Sequence, residues 1–205
     1  MIFQRGLYAI TPESLCDKAL LSACAQALRG GAVCLQYRAK FKTNAQRTHE
    51  ASEIQALCRA ANARFVVNDD LALAKALGCG LHVGEHDCGI HEARAVLGTG
   101  AFIGASCYDS LTLAEHAASS GASYLAFGAF YPSFTKTNAR RASLTLLTQA
   151  RTFGLPLVAI GGITLNNAAD VIDAGADFIA VVNALFEHPQ RVLQQAEAFS
   201  ACFTR

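Results

Sequence analysis

The sequence predicts an α/β protein built as one compact (β/α)8 barrel, a TIM barrel, over residues 1–205. Three observations carry that expectation. Short β-favouring apolar runs alternate with helix-period segments eight times along the chain, the signature of strand–crossover–strand units in a parallel sheet. The runs are close to continuously apolar, as strands covered by helices are. Glycine recurs where a helix gives way to the next strand, in Gly30-Gly31-Ala32, Gly78-Cys79-Gly80, Gly121-Ala122-Ser123 and Gly175-Ala176-Asp177, as expected of left-handed helix caps. Eight units with short connections favour closure over an open doubly wound sheet, and this length lies at the compact end of such barrels.

The elements follow in order. Residues 6–11 (GLYAIT) read as the first strand. Thr11-Pro12 reads as an N-cap with proline at the first helical position. Apolar residues recur at three and four from Leu15 to Leu28, which predicts a helix with Cys16, Leu20 and Cys24 on one face. Strands follow at 32–38, 64–69, 80–84, 101–107, 124–130, 155–162 and 178–186. Helices fill the gaps, from about Asn44, at 71–77, at 90–97, after a cap at Asp109 or Ser110, at 143–153, after a Thr164 cap and from Pro189. No composition shift or linker divides the chain.

Composition narrows the function. The chain is 52% hydrophobic and 16% charged, against roughly 25% charged in ordinary globular domains. No uninterrupted apolar run reaches the ~18 residues of a membrane span. A net charge of +1 points to neither a nucleic-acid nor a membrane surface. The eight cysteines lie in apolar-periodic segments without a C-x-x-C pair, so they read as small buried hydrophobes in a reducing cytoplasm rather than as a disulfide framework or zinc site. The N-terminus enters a strand directly, without signal-peptide architecture.

Polar residues collect at the C-terminal ends of the predicted strands, where barrel active sites are built. They include Gln36, Arg38 and Lys40, then Asn68-Asp69-Asp70, His82 to Asp87, Ser106, a loop with Ser133, Thr135 and Lys136, then Gly161-Gly162 and Asn183. Arg38 and Lys40 are two apart, which on a strand puts both on one face. Together with Lys136 they suit phosphate oxygens. Asp69 and Asp87 are hard oxygen donors of the kind that hold magnesium while substrate phosphates complete its shell. Gly161-Gly162 before a helix start matches a second phosphate site. Each signal alone has a bland reading: a helix cap, a turn, a solvated basic pair. Their convergence at one mouth argues for a magnesium diphosphate substrate. His82 reads as an interior hydrogen-bonder rather than a base, and His86, His91, His116 and His188 as surface residues. Cys107, Phe127 and Phe130 read as core, and Glu85 as a solvated loop residue.

In order and spacing these segments resemble the thiamine-phosphate synthase (thiamine-phosphate pyrophosphorylase) family over nearly the whole chain. The resemblance runs through Leu7-Tyr8-Ala9-Ile10-Thr11, Gln36-Tyr37-Arg38-Ala39-Lys40, Asn68-Asp69-Asp70 and His82-Val83-Gly84-Glu85-His86-Asp87. It continues through Gly104-Ala105-Ser106, Thr135-Lys136, Ala159-Ile160-Gly161-Gly162-Ile163 and Ala174-Gly175-Ala176-Asp177. It implies an alkyl transferase that joins a hydroxymethylpyrimidine diphosphate to a thiazole phosphate, or its carboxylated precursor, with release of pyrophosphate. Gln36, Arg38, Lys40, Asn68, Ser106 and Lys136 would hold the diphosphate substrate, with Arg38, Lys40, Ser106 and Lys136 catalytic. Asp69 and Asp87 would bind Mg²⁺. Ser133, Thr135, Gly162, Val182 and Asn183 would hold the thiazole phosphate. The chain departs from the family at Ser133, where threonine is usual, at Asn183, where serine is usual, and at Glu85, where glutamine is common.

Two alternatives stand beside this reading. A paralogous thiazole tautomerase shares the barrel but relies on a histidine after the fifth strand, where this chain has Ser106-Cys107-Tyr108-Asp109. A non-catalytic phosphate-ligand sensor would not need two carboxylates and three cations. Partners are expected to be small molecules only, with no nucleic acid and no membrane, and assembly into a homodimer stays open.

Overall fold

In the computed structural model, residues 4–132 and 141–204 are described. Eight parallel strands pair in chain order: β1 (Gly6–Ile10), β2 (Cys34–Tyr37), β3 (Arg64–Asn68), β4 (Gly80–Val83), β5 (Ile103–Tyr108), β6 (Tyr124–Phe127), β7 (Leu157–Ile160) and β8 (Phe178–Val181). β8 pairs with β1 and closes the barrel, with Tyr8 opposite Ala180 on one side and Cys34 on the other. The helices between them are α1 (Asp17–Arg29), α2 (Asn44–Ala60), α3 (Leu71–Leu77), α4 (Ile90–Leu97), α5 (Leu111–Ser119), α6 (Leu144–Ala150), α7 (Ala168–Asp173), α8 (Asn183–Phe186) and α9 (Val192–Ala201).

Strand alternation sorts the residues into two cores. Leu7, Leu35, Leu81, Leu125, Leu157 and Ile179 point outward and are buried beneath the helices. Each such side chain contributes roughly 1.5–3 kcal/mol by leaving water. The inward set is Tyr8, Ile10, Cys34, Val66, Tyr124, Ala126, Val158, Phe178 and Ala180. Gln36 and His82 are buried among the strands as well. The side from β7 to β8 is therefore apolar inside, and the side from β1 to β6 carries hydroxyl, amide and imidazole groups.

Local signals explain most element ends. Thr43 starts α2 with a capping box to Gln46. Asp70 caps α3 through Leu73 N–H, and Ser110 caps α5 through Leu113 N–H. Four expectations are corrected. Thr11 does not cap a helix; its hydroxyl accepts from Arg38 N–H at 2.9 Å and donates to Arg38 C=O at 3.3 Å, because β1 must be tied to the end of β2. α1 begins only at Asp17, and Cys16 is its exposed N-cap rather than part of its buried face. Thr164 offers backbone rather than side chain to the next turn, and α7 begins at Ala168. β8 ends at Val181, and Asn183 opens α8 instead of extending the strand.

Candidate active site

The C-terminal strand ends converge on one cluster. β2 stops at Tyr37, so Arg38 and Lys40 sit on the loop that follows rather than on a strand face. Glu13, from the loop after β1, keeps them together. Its Oε1 accepts from Lys40 N–H at 2.6 Å and lies 3.4 Å from Arg38 Nη1. Lys40 then reaches across the mouth, and its Nζ lies 2.9 Å from Asp69 Oδ2.

Asp69 follows β3 in the left-handed backbone region, φ 64°, a conformation uncommon outside glycine and enriched at functional sites. Its N–H donates to His82 C=O at 2.9 Å. The neighbouring Asp70 turns away to cap α3, so the two adjacent aspartates divide into one cap and one mouth residue. Asp87, after β4, accepts from Gly84 N–H at 2.6 Å through Oδ2 and meets the Asp69 carboxyl. Burial, then this contact, push the Asp69 carboxyl above its ordinary range. Burial also acts on Asp87, but its contacts with Asp69, the Gly84 N–H and Lys40 outweigh that and hold it lower.

Two carboxylates in contact beside a lysine form an incomplete site for a hard cation. Among the described residues no group of three or more His, Cys, Asp or Glu gathers to hold a metal ion. A magnesium ion held by one or two carboxylates and completed by substrate phosphates needs no third. The residues present therefore fit Mg²⁺.

Deeper in the barrel, Ser106 Oγ lies 2.9 Å from His82 Nε2, and Gln36 Nε2 donates to Tyr8 OH at 2.9 Å. Asn68 ends β3 opposite His82. His82 is thus an interior hydrogen-bonder, and Cys107, Phe127 and Phe130 are core. Glu85 and the other four histidines singled out are exposed. The two-glycine turn after β7 has φ 100° at Gly161 and 66° at Gly162. A side chain at Gly162 would strike the carbonyls of Tyr131 and Pro132, so glycine there serves close backbone packing as well as any ligand. A turn at 164–167 separates it from α7, so it does not sit directly on a helix start. Val182 is half-buried and Asn183 exposed after β8. Ser133, Thr135 and Lys136 lie outside the described residues.

Comparison with known proteins decides the family. A family model described as thiamine monophosphate synthase matches residues 7–185. The chain belongs to the thiamine monophosphate synthase family. A protein of Thiobacillus denitrificans named thiamine-phosphate synthase is 52% identical over 189 residues, covering 91% of this chain and 90% of that one. A second of the same name, from Chromobacterium violaceum, is 50% identical and covers 89% and 88%. The solved thiamine phosphate pyrophosphorylase of Pyrococcus furiosus superposes with TM-score 0.88 at 31% identity, covering 98% of this chain and 96% of that one. Family membership makes the chain a transferase of thiamine biosynthesis.

Sequence reasoning missed Glu13, Tyr8 and Tyr124. Glu13 gave no signal apart from a carboxylate following a predicted strand. The tyrosines did signal: each places a hydroxyl at an inward position of an otherwise apolar run.

Proposed function

We propose that this protein condenses a hydroxymethylpyrimidine diphosphate with a thiazole phosphate, or its carboxylated form, to give thiamine phosphate and pyrophosphate. The observation that carries the reading is the Lys40–Asp69–Asp87 cluster flanked by Arg38. It suits a magnesium diphosphate and has no use in a tautomerase that handles only a monophosphate. Asp69 and Asp87 would hold Mg²⁺, which supplies charge neutralisation for the diphosphate when bound.

The chain's own residues supply the rest. The aminopyrimidine can delocalise positive charge at its methylene, so the carbon–oxygen bond to the diphosphate breaks before the thiazole nitrogen attacks that carbon. No strong base is required. Arg38, Lys40 and Lys136 take up the charge that develops on the departing diphosphate, in a site preorganised before the bond breaks. Gln36, Asn68 and Ser106 hold the pyrimidine side. Ser133, Thr135, the Gly162 backbone, Val182 and Asn183 hold the second phosphate and so orient the nucleophile. The whole chain acts as one catalytic domain in the cytoplasm. No described helix is long and apolar enough to cross a membrane.

The test mixes the protein with both substrates and Mg²⁺ and measures pyrophosphate. Release that needs all three supports the reading. No release, with thiazole phosphate still bound, would transfer the assignment to a tautomerase or a sensor.

A further inference from the structure

A continuous chain of hydrogen bonds crosses the barrel interior between two of the residues assigned to the pyrimidine. Gln36 Nε2 meets Tyr8 OH at 2.9 Å, Tyr8 OH meets Tyr124 OH at 2.8 Å, Tyr124 OH meets His82 Nδ1 at 2.9 Å, and His82 Nε2 meets Ser106 Oγ at 2.9 Å. We propose that Tyr8, Tyr124 and His82 are positioning residues, which lock the Gln36 amide and the Ser106 hydroxyl into opposite hydrogen-bonding characters toward the substrate. This rests on the reading of Gln36 and Ser106 as pyrimidine-side residues.

Each phenol has one O–H to give, and a neutral imidazole has one donor nitrogen and one acceptor nitrogen. With Gln36 Nε2 donating to Tyr8, Tyr8 gives its proton to Tyr124 and Tyr124 gives its own to His82 Nδ1. The imidazole proton then sits on Nε2 and is donated to Ser106. Ser106 is left with its own hydrogen to offer the substrate, and Gln36 with its carbonyl oxygen. Turning the Gln36 amide reverses every link: Gln36 then offers N–H and Ser106 a lone pair. In both directions one member of the pair can donate while the other accepts. An aminopyrimidine, with an amino donor beside a ring-nitrogen acceptor, is the complement of such a pair.

The surroundings hold the chain in place. Both tyrosines are fully buried, and burial first of all keeps their hydroxyls protonated far above neutrality. The Tyr124 ring lies over Gly104, where any Cβ would collide with it. It also packs against Tyr8 with ring centroids 6.0 Å apart, stacks with His82 at 5.6 Å and rests on Phe102 at 4.9 Å. Such rings have little rotational freedom. A barrel interior needing only to be filled would take apolar side chains, as the β7–β8 side does with Val158, Phe178 and Ala180, and would carry no buried polar atoms to satisfy.

Tyr124→Phe keeps every ring contact and cuts the middle link. With wild-type pyrophosphate release established first, failure of the functional reading is seen separately, as no release from the unaltered protein. The expected result is a kcat about tenfold lower, with KM for thiazole phosphate changed less than about twofold because that substrate is held elsewhere. Ser106→Ala followed by Tyr124→Phe is the decisive comparison, since a residue acting only through Ser106 adds nothing once that hydroxyl is gone. Tyr8→Phe cuts the chain at its Gln36 end and is scored in a Gln36→Ala background instead, which keeps the test intact should Tyr124→Phe fold poorly. A Tyr124→Phe loss that multiplies fully with Ser106→Ala, a Tyr8→Phe loss that multiplies fully with Gln36→Ala, or wild-type kcat in both single variants, would overturn the proposal.

Discussion

Both ends of the barrel carry cations and use them in opposite ways. At the mouth, Lys40 faces Asp69 at 2.9 Å and Arg38 faces Glu13 at 3.4 Å. At the base, a cleft of about 650 Å³ is lined by Arg59, Arg64 and Lys75 with no carboxylate among its lining residues. There Arg64 stacks over the Phe102 ring at 4.5 Å, and Arg59 and Lys75 extend into solvent. The mouth is a set of charges held in place by opposite charges. The base is a packing surface with solvated edges. A net charge of +1 describes both and reveals neither.

The largest expected effect lies at the mouth. Asp69→Asn or Asp87→Asn should lower kcat/KM by about 10²–10³ while leaving Tm unchanged or higher, because two carboxyl groups in contact repel when both are charged. Pyrophosphate release and a thermal melt on the same sample check it. A variant that keeps its activity would remove the aspartate it replaces from the site. The base should answer in reverse. Phe65→Ala, in the wall of the basal cleft, is expected to cost about 3 kcal/mol of stability with kcat per folded molecule unchanged, read from chemical denaturation beside an assay at low temperature.

How legible these two ends are in the sequence depends on the distance over which the deciding interaction acts. α3 and α4 match their expected bounds because their signals are local: a capping aspartate before α3, a glycine just past the end of each and an apolar period. The N-terminal cap at Thr11 fails because a contact 27 residues away, to Arg38, takes the hydroxyl. Arg38 and Lys40 are correctly grouped but for the wrong reason. A strand face was expected, and Glu13 is what joins them. The Tyr8–Tyr124 bond links residues 116 positions apart, so it exists only once the barrel has closed in register; the two inward hydroxyls are legible locally, their pairing is not. Asp69 is singled out over Asp70 already in the sequence, and the backbone supplies the physical difference between them: φ 64° at Asp69 and a cap on α3 at Asp70.

Between the two ends lies a smaller, pH-dependent test. Glu50 on α2 is 3% exposed. It accepts from Lys42 Nζ at 2.7 Å, from Tyr37 OH at 2.6 Å and from Asp17 N–H at 3.1 Å. Burial works against its charge, but these donors outweigh burial and hold its carboxyl below the ordinary value. A depressed carboxyl adds stability that is full above its unfolded value of about 4.3 and is lost as pH falls through the folded value. Wild type should therefore lose more stability than Glu50→Gln between about pH 6 and about pH 3. Parallel losses would mean that Glu50 is not held ionised by its donors.

The smallest effect is the one that separates placement of charge from amount of charge. Arg59→Ala and Lys75→Ala each remove a cation, as Lys40→Ala does. If the barrel attracted its anionic substrates through overall positive charge, all three would lower kcat/KM alike. The base is about one strand length from the mouth, ~17 Å for five residues, and charges are screened over about 8 Å at physiological ionic strength. The basal variants should therefore match wild type in kcat/KM there and shift stability by no more than about 0.5 kcal/mol. Lowering the salt to about 0.01 M stretches the screening length to about 30 Å, and only then should the basal variants fall slightly below wild type. Lys40→Ala should be impaired at both ionic strengths, because its partners lie within hydrogen-bond reach, where solvent ions do not intervene. Equal losses from the base and the mouth at physiological salt would mean that the protein works by bulk field rather than by the paired charges at its mouth.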